Sequence, residues 1–268
     1  VIPCSSGVHF NGAALPSQGG IVLDLRRMNK ILEVDERNRK ARIEPGVTWG
    51  QLQAELEGHE LMGLLPLLPH PLKSALTSHL EREPMLIPKY EYGDPLLTME
   101  VVLPTGELFR TGSACVPGIT VDAIADGVQP EGPGIGFWRL FQGAQGTMGV
   151  VTWANVKVEY LPQVNKTFFI PCQRVEDAIE PIYRMQRRMI GQECLLLNNF
   201  NLAAILAQSP ADLTTLSEAL PPWSIILILA GGRRHPEEKI EYEEEALMDV
   251  GRELSLSSIM SSLPGVPG

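Results

Sequence analysis

The sequence predicts an α+β protein in two parts, and three observations predict it. Short apolar runs separated by polar or glycine-bearing turns recur up to Pro162, which is the pattern of short strands and hairpins. A helix with its own capping signal interrupts them at Thr48. After Pro162 the character changes to longer helical patterns around one strongly apolar strand, so the boundary is expected there, giving segments 1–162 and 163–268.

The elements follow in order. VIPCSSG opens on a short apolar strand, and Cys4 to Gly20 forms a glycine-bearing loop. Gly19-Gly20 marks a turn before IVLDL, where Val22, Leu23 and Leu25 suit a buried strand. ILEVD and KARIEP read as the arms of a hairpin, with the polar DERNRK at its bend. Thr48-x-x-Gln51 fits a capping box, followed by Leu52 and Leu56 at helical spacing. Pro66, Pro69 and Pro71 make 62–73 a connector, and Ser74 to Glu83 suits a short helix. LTMEVVLPTGELFRTG is a hairpin with Pro-Thr-Gly at the bend. The stretch 113–136 is loop-rich, FWRLFQG is a short helix, and the second half of GAQGTMGVVTWANVKVEYLP is a strand. Beyond Pro162, TFFIPC is a strand, and a helix begins near Glu176 with Pro181 as an expected kink. SIILILAGG is a buried strand, and PEEKIEYEEEALMDVGREL a charged helix. The chain opens without a preceding element and closes in SLPGVPG, so both ends read as the edges of a piece of something longer.

Bulk properties exclude several classes. The 268 residues carry a formal net charge of −10, which argues against a nucleic-acid partner, since phosphate backbones are bound by clustered Lys and Arg. No run of 18 apolar residues and no signal-peptide order occurs, so neither a membrane span nor a leader is expected. Cys4, Cys115, Cys172 and Cys194 form no CxxC pair, which argues against a zinc or iron–sulfur site and suits reduced thiols in the cytoplasm. No metal site is expected. The five histidines lie apart and read as surface or packed residues. Arg184, Arg187 and Arg188, the Glu81-Arg82-Glu83 run and Glu243 to Glu245 read as solvated charged faces, and Trp138 and Trp153 as core.

Three loops in order, each joined to a strand, carry the chemistry, the first and third of them glycine-bearing. The first runs from Pro3 to Gly12; small residues and glycine after a strand present backbone N–H groups in a concave turn that suits a pyrophosphate. It lacks GxGxxG and Gly-Lys-Ser/Thr, so it is neither a Rossmann nor a Walker loop. The second runs from Pro69 to Ser78. The third places Gly143, Gly146 and Gly149 three apart before a β-branched strand, permitting close backbone approach to a planar ligand, or alternatively a turn made for packing alone.

In this order the loops resemble a known family. IPCSSGVHFNGAALPSQGGIVLDLRRMNKILEVDERNRKARIEPGVTWGQLQAEL, YGDPLLTMEVVLPTGEL and FQGAQGTMGVVTWANVKV are similar to the FAD-binding segments of the vanillyl-alcohol-oxidase, glycolate-oxidase and D-lactate-dehydrogenase group. The resemblance spans residues 1 to 162. It implies a two-subdomain PCMH-type FAD-binding domain, lacking its N-terminal part, followed by part of an α+β cap that would hold substrate. It implies FAD, with Cys4, Ser5, Ser6, Gly7, Val8, His9 and Asn11 at the pyrophosphate. Pro69, Ser74, Leu76, Thr77 and Ser78 would run along the flavin and ribityl chain, and Gly143, Gly146, Gly149, Val150 and Val151 along the other side. The first loop departs from the family's Arg-Gly-x-Gly-Thr, and Thr77-Ser78 stands where Gly-Gly is usual. The family's flavin-linking His aligns with Val8, one residue before His9, so noncovalent FAD is expected.

The activity implied is oxidation of a hydroxy acid or alcohol by hydride transfer to flavin N5, with the electron acceptor open. The alternative is a flavin-domain homologue serving as a structural or electron-relay subunit of a larger complex. A homo-oligomer or a partner subunit fits either reading, and no catalytic residue is assigned.

Overall fold

The computed structural model describes residues 1–9, 12–67, 69–83, 94–116 and 136–263. Asn11, most of the loop-rich stretch (117–135) and the last five residues lie outside them. Contacts divide the chain into two compact units, with the division between Leu161 and Pro162.

In the first unit, β1 (Ile2–Cys4) pairs in parallel with β2 (Val22–Asp24), Ile2 opposite Val22. The expectation that β2 is buried is corrected: Val22 and Leu23 are 45% and 38% exposed, and only Leu25, just beyond the strand, is buried. Among the described strands, β2 has β1 as its sole neighbour, so two apolar side chains stay open despite a sequence suited to a core. The hairpin of β3 (Ile31–Asp35) and β4 (Lys40–Ile43) closes where expected, with Asp35 opposite Lys40. Helix α1 (Trp49–Gly58) starts at the Thr48 capping box, its hydroxyl accepting from the Gln51 N–H and the Gln51 side chain from the Thr48 N–H. Its buried face is Trp49, Leu52 and Leu56, spaced one turn apart.

After β5 (Leu61–Gly63) comes α2 (Ala75–Leu80), capped by Ser74. β6 (Leu96–Val102), β7 (Leu108–Arg110) and the long β8 (Val150–Tyr160) complete an antiparallel sheet of order β3-β4-β8-β6-β7, with β5 on the far end of β8. Alternate residues of β8, Ala154, Val156 and Val158, face the core with Ile43, Met99, Val101, Leu56 and Leu76. The FWRL segment forms one 3₁₀ turn, Phe137–Leu140, and buries Trp138.

The second unit is built on β9 (Val164–Cys172), β10 (Glu193–Asn198) and β11 (Trp223–Gly231), in the antiparallel order β10-β11-β9. Among the described residues four helices cover it: α3 (Ile179–Arg187), α4 (Asn199–Leu206), α5 (Pro210–Ala219) and α6 (Pro236–Glu253). The alternation of β11 sorts them. Ile225, Leu227 and Leu229 pack with Met185 of α3 and Leu247 of α6, while Ile226 packs with Leu202 of α4 and, alongside it, Leu213 of α5. Helices therefore lie on both faces of this sheet. Pro181 falls in the first turn of α3, where it needs no internal kink, because first-turn N–H groups have no intrahelical acceptor.

The reading of Glu243 as solvated is also corrected. It is 8% exposed; its carboxylate accepts from the buried Gly191 N–H at 3.3 Å and pairs with Lys239 at 3.0 Å. Buried carboxylates need such partners, and a run of three glutamates conceals which one turns inward.

Candidate functional site

The first unit contains a cleft enclosing about 920 Å³ of space, solvent at its mouth included. All three glycine-bearing or hydroxyl-bearing loops reach it. Cys4, Ser5, Gly7, Val8 and His9 line it from the first, Thr77 from the second, and Gly143, Gly146, Gly149 and Val151 from the third and the strand it enters.

Hydrogen bonds and packing join these loops into a ring. The Ser5 and Thr77 hydroxyls lie 2.6 Å apart. The Ser6 hydroxyl accepts from the Ser74 N–H at 3.1 Å and from the Val8 N–H at 3.3 Å. The Ser74 hydroxyl in turn accepts from the Thr77 N–H and donates to the Pro45 carbonyl at 2.6 Å. From α2 the ring continues through the Gly143 N–H, which donates to the Leu80 carbonyl at 2.8 Å. It closes at Gly146, where a Cβ would stand 2.4 Å from the Pro3 ring.

The third-loop glycines thus have different reasons. Gly146 (φ +82°) and Gly149 (φ +150°) are held to β1 and β6 so closely that no side chain fits, Gly149 against the Val102 carbonyl at 2.6 Å. Those two positions answer to packing. Gly143 (φ +69°) has nothing within 4 Å of where a Cβ would stand, and at Gly7 (φ +79°) only Arg26 Cδ comes near, at 3.9 Å. Both leave the cleft open beside bare backbone. Among the described residues, the main-chain N–H groups of Ser5, Ser6 and Gly7 donate to no protein acceptor.

Several expected site residues stand elsewhere. Leu76 is fully buried in the core, and Ser78 is fully buried with its hydroxyl accepting from Trp49 Nε1 at 3.0 Å. Ser6 and Ser74 shape the loops from behind, and neither Pro69 nor Val150 reaches the cleft; Val150 opens β8 opposite Val102. Helical periodicity explains the split within the second loop: Thr77 faces the cleft while Leu76 and Ser78 turn inward. The side chain of Ser78 therefore leaves the cleft clear. Sequence reasoning did not assign to the site the apolar wall of Leu25, Pro45, Phe141 and Met148, although the last two stand inside the third loop's segment, nor Glu81 at the end of α2.

Electrostatics around α2 are unusual. Lys73 is 1% exposed; burial opposes its charge, and the carboxylates of Glu81, at 2.8 Å, and Glu83 more than offset this, holding its pKa above the ordinary value. The Glu81 and Glu83 run is thus a buried lysine's counter-charge rather than a free surface patch. His79 is 1% exposed, edge-on to Trp49 at 5.2 Å between ring centroids, and among the described residues neither ring nitrogen has a hydrogen-bond partner. Burial pushes its pKa down to about 3, so it is neutral. Beside the first loop, Arg26 is bound by Asp24 at 2.6 Å, and these bonds pull the Asp24 carboxyl down to about 2.

Comparison with known proteins bears on this geometry. Residues 1–77 match the family described as FAD binding domain. The chain is 30% identical over 186 residues to the glycolate oxidase subunit GlcD of Bacillus subtilis (strain 168), a match covering 68% of this chain and 36% of that protein. It is 26% identical over 253 residues to an uncharacterized FAD-linked oxidoreductase of Mycobacterium tuberculosis (strain CDC 1551 / Oshkosh), covering 92% of this chain and 52% of the relative. The chain therefore spans about half the length of these curated relatives or less. The crystal structure of p-cresol methylhydroxylase with substrate bound matches at a TM-score of 0.68 and 23% identity, over 91% of this chain and 49% of that one, a likeness of fold. Together with the three ordered loops, these matches make the chain similar to FAD-linked oxidoreductases of the glycolate-oxidase type, with residues 1–77 matching an FAD binding domain.

Proposed function

We propose that the chain holds FAD noncovalently in this cleft and forms the flavin-binding part of an oxidoreductase acting on a hydroxy acid or alcohol. The observation that carries the reading is the closed ring of loops, which leaves backbone bare at Gly7 and Gly143 and N–H groups undonated at Ser5, Ser6 and Gly7. Unengaged N–H groups in a concave turn suit a diphosphate, and an apolar wall of Leu25, Phe141 and Met148 suits a flat ring system and keeps water from it. Bound there, FAD supplies the hydride acceptor at N5. The chain's own residues bind and orient: the first loop at the diphosphate, Thr77 along the cofactor, and Gly143, Gly146, Gly149 and Val151 on the other wall. Ser74, Leu76 and Ser78 act behind the wall by fixing α2.

A second reading, a structural or electron-relay subunit, draws on the cleft's lack of a free acid–base pair among the described residues, since Glu81 is engaged by Lys73. The name of the Bacillus subtilis relative as a subunit fits a partner chain for either reading. No helix among the described residues is long and apolar enough to cross a membrane, and four free cysteines support a cytoplasmic location.

An absorption spectrum of the purified chain tests the cofactor, with bands expected at about 370 and 450 nm and flavin released intact by denaturation. Turnover of 2-hydroxy acids or aromatic alcohols with a dye acceptor then separates an enzyme from a relay. A colourless protein that takes up no added FAD refutes the reading.

A further inference from the structure

Among the described residues, six polar side chains line the cleft: Cys4, Ser5, His9, Thr77, Glu81 and Gln145. The Ser5 and Thr77 hydroxyls bind one another, and Glu81, held by Lys73, can as a carboxylate only accept. A thiol is a weak donor, and an imidazole presents its two nitrogens on different sides of the ring. Gln145 differs. Its carboxamide carries a donor and an acceptor side by side in one plane, and among the described residues nothing bonds to it.

The backbone beneath Gln145 sets it apart as well. A turn closed by the Thr147 N–H and the Ala144 carbonyl, at 2.9 Å, has Gln145 (φ +50°) and Gly146 (φ +82°) as its central residues. Positive φ at both central positions suits Asn, Asp or Gly, and glutamine takes it only under strain. The other described non-glycine residues of positive φ serve the chain itself. Glu60, Arg82, Met189 and Ser255 each follow a helix C-cap, Arg39 lies in the bend between β3 and β4, and His235 opens α6. Of this group Gln145 alone lines the cleft. Strain of this kind is held at sites where a side chain must be aimed.

We infer that Gln145 is a specificity-determining residue, reading an edge of a flat nitrogen heterocycle on the bound cofactor where a donor stands beside an acceptor. The inference rests on the FAD reading above and deepens it. FAD has such an edge at both ends. Adenine sets its amino group beside a ring nitrogen, and the pyrimidine ring of the flavin sets N3–H beside a carbonyl. A carboxamide pairs with either through two parallel hydrogen bonds, as glutamine does with adenine in nucleic acids.

The test titrates the flavin-free chain with FAD, with FMN, which has the flavin without the adenine, and with ADP, which has the adenine without the flavin. Wild type, Gln145→Gly and Gln145→Met are compared, the last keeping the length and the strain without the polar group. Both variants are expected to bind FAD about tenfold more weakly, the scale of two hydrogen bonds in a site open to solvent. One half of the cofactor should show the same loss and the other none, and the half that loses affinity carries the edge that is read. Thermal unfolding of the free chain gives a readout that a packing role would move the opposite way. Gln145→Gly relieves the left-handed backbone and should melt at or above the wild-type midpoint, and Gln145→Met within a few degrees of it. Unchanged FAD affinity in a folded Gln145→Met, an equal loss with FMN and ADP, or a lower midpoint in Gln145→Gly overturns the inference and leaves the FAD reading standing. A wild-type chain that takes up no FAD overturns both.

Discussion

The buried imidazole of His79 makes the first unit sensitive to acid. In the folded chain burial holds its pKa at about 3, against an ordinary value of 6.5, and neither ring nitrogen has a partner among the described residues. Unfolding exposes the ring, which then takes a proton wherever the pH lies below 6.5. The folded pKa is depressed, so the stability is fully present above the unfolded value and is lost progressively as pH falls toward 3. At one and a half units below the unfolded value, near pH 5, the loss is about 2 kcal/mol, from 1.36 kcal/mol per unit. The perturbation is His79→Leu, which keeps an apolar side chain of similar volume against Trp49 and removes the titration. Urea unfolding at pH 8, 7, 6 and 5 compares the two proteins. All other titrating groups are shared, so the difference between the curves isolates His79. The wild type should lose about 2 kcal/mol more than the variant between pH 8 and 5. Parallel curves would refute the assignment of a neutral, unpartnered ring.

Other consequences follow from the same packing. Gly143→Ala places a side chain in open space at φ +69° and should cost about 1–2 kcal/mol of backbone strain. Gly146→Ala adds a collision with the Pro3 ring and should cost clearly more, measured by the same denaturant titration. Lys73→Met removes the cation between Glu81 and Glu83 and should destabilise by about 2 kcal/mol, less than a fully buried pair because both carboxylates are partly exposed. Any flavin the chain carries should leave with acid or detergent, and mass spectrometry of a digest should find no flavin on the peptide containing His9.

Much of the fold was legible because its signals are local. The capping box at Thr48 and Gln51, the polar bend between β3 and β4 and the long charged pattern of α6 need no knowledge of the rest of the chain. What escaped depends on neighbours. The stretch from Gln192 to Leu220 passed without an element, yet it forms β10, α4 and α5. LLLNNFNLAAIL runs apolar without a clear period, so neither strand nor helix stands out, and its strand is specified by pairing with β11. Val22 and Leu23 carry core chemistry on an open strand, and Glu243 carries surface chemistry in a buried position. At the site, the order of the loops located the cleft. The facing of α2 then decided that Thr77 lines it and Ser78 does not, and two of the three glycines proved to be spaced for packing on Pro3 and Val102.

Ala144 lines the cleft on the third loop between Gly143 and Gly146, its methyl makes none of the hydrogen bonds that join the loops, and its replacement by Trp tests most directly whether the cleft is the cofactor site. Flavin content per chain and the unfolding midpoint would be measured side by side for the wild type and Ala144→Trp. An indole in the cleft should abolish FAD uptake while the midpoint stays within a few degrees of the wild type, about the shift for a 1 kcal/mol change. Full flavin content in a folded Ala144→Trp protein would contradict the claim that these three loops enclose the FAD.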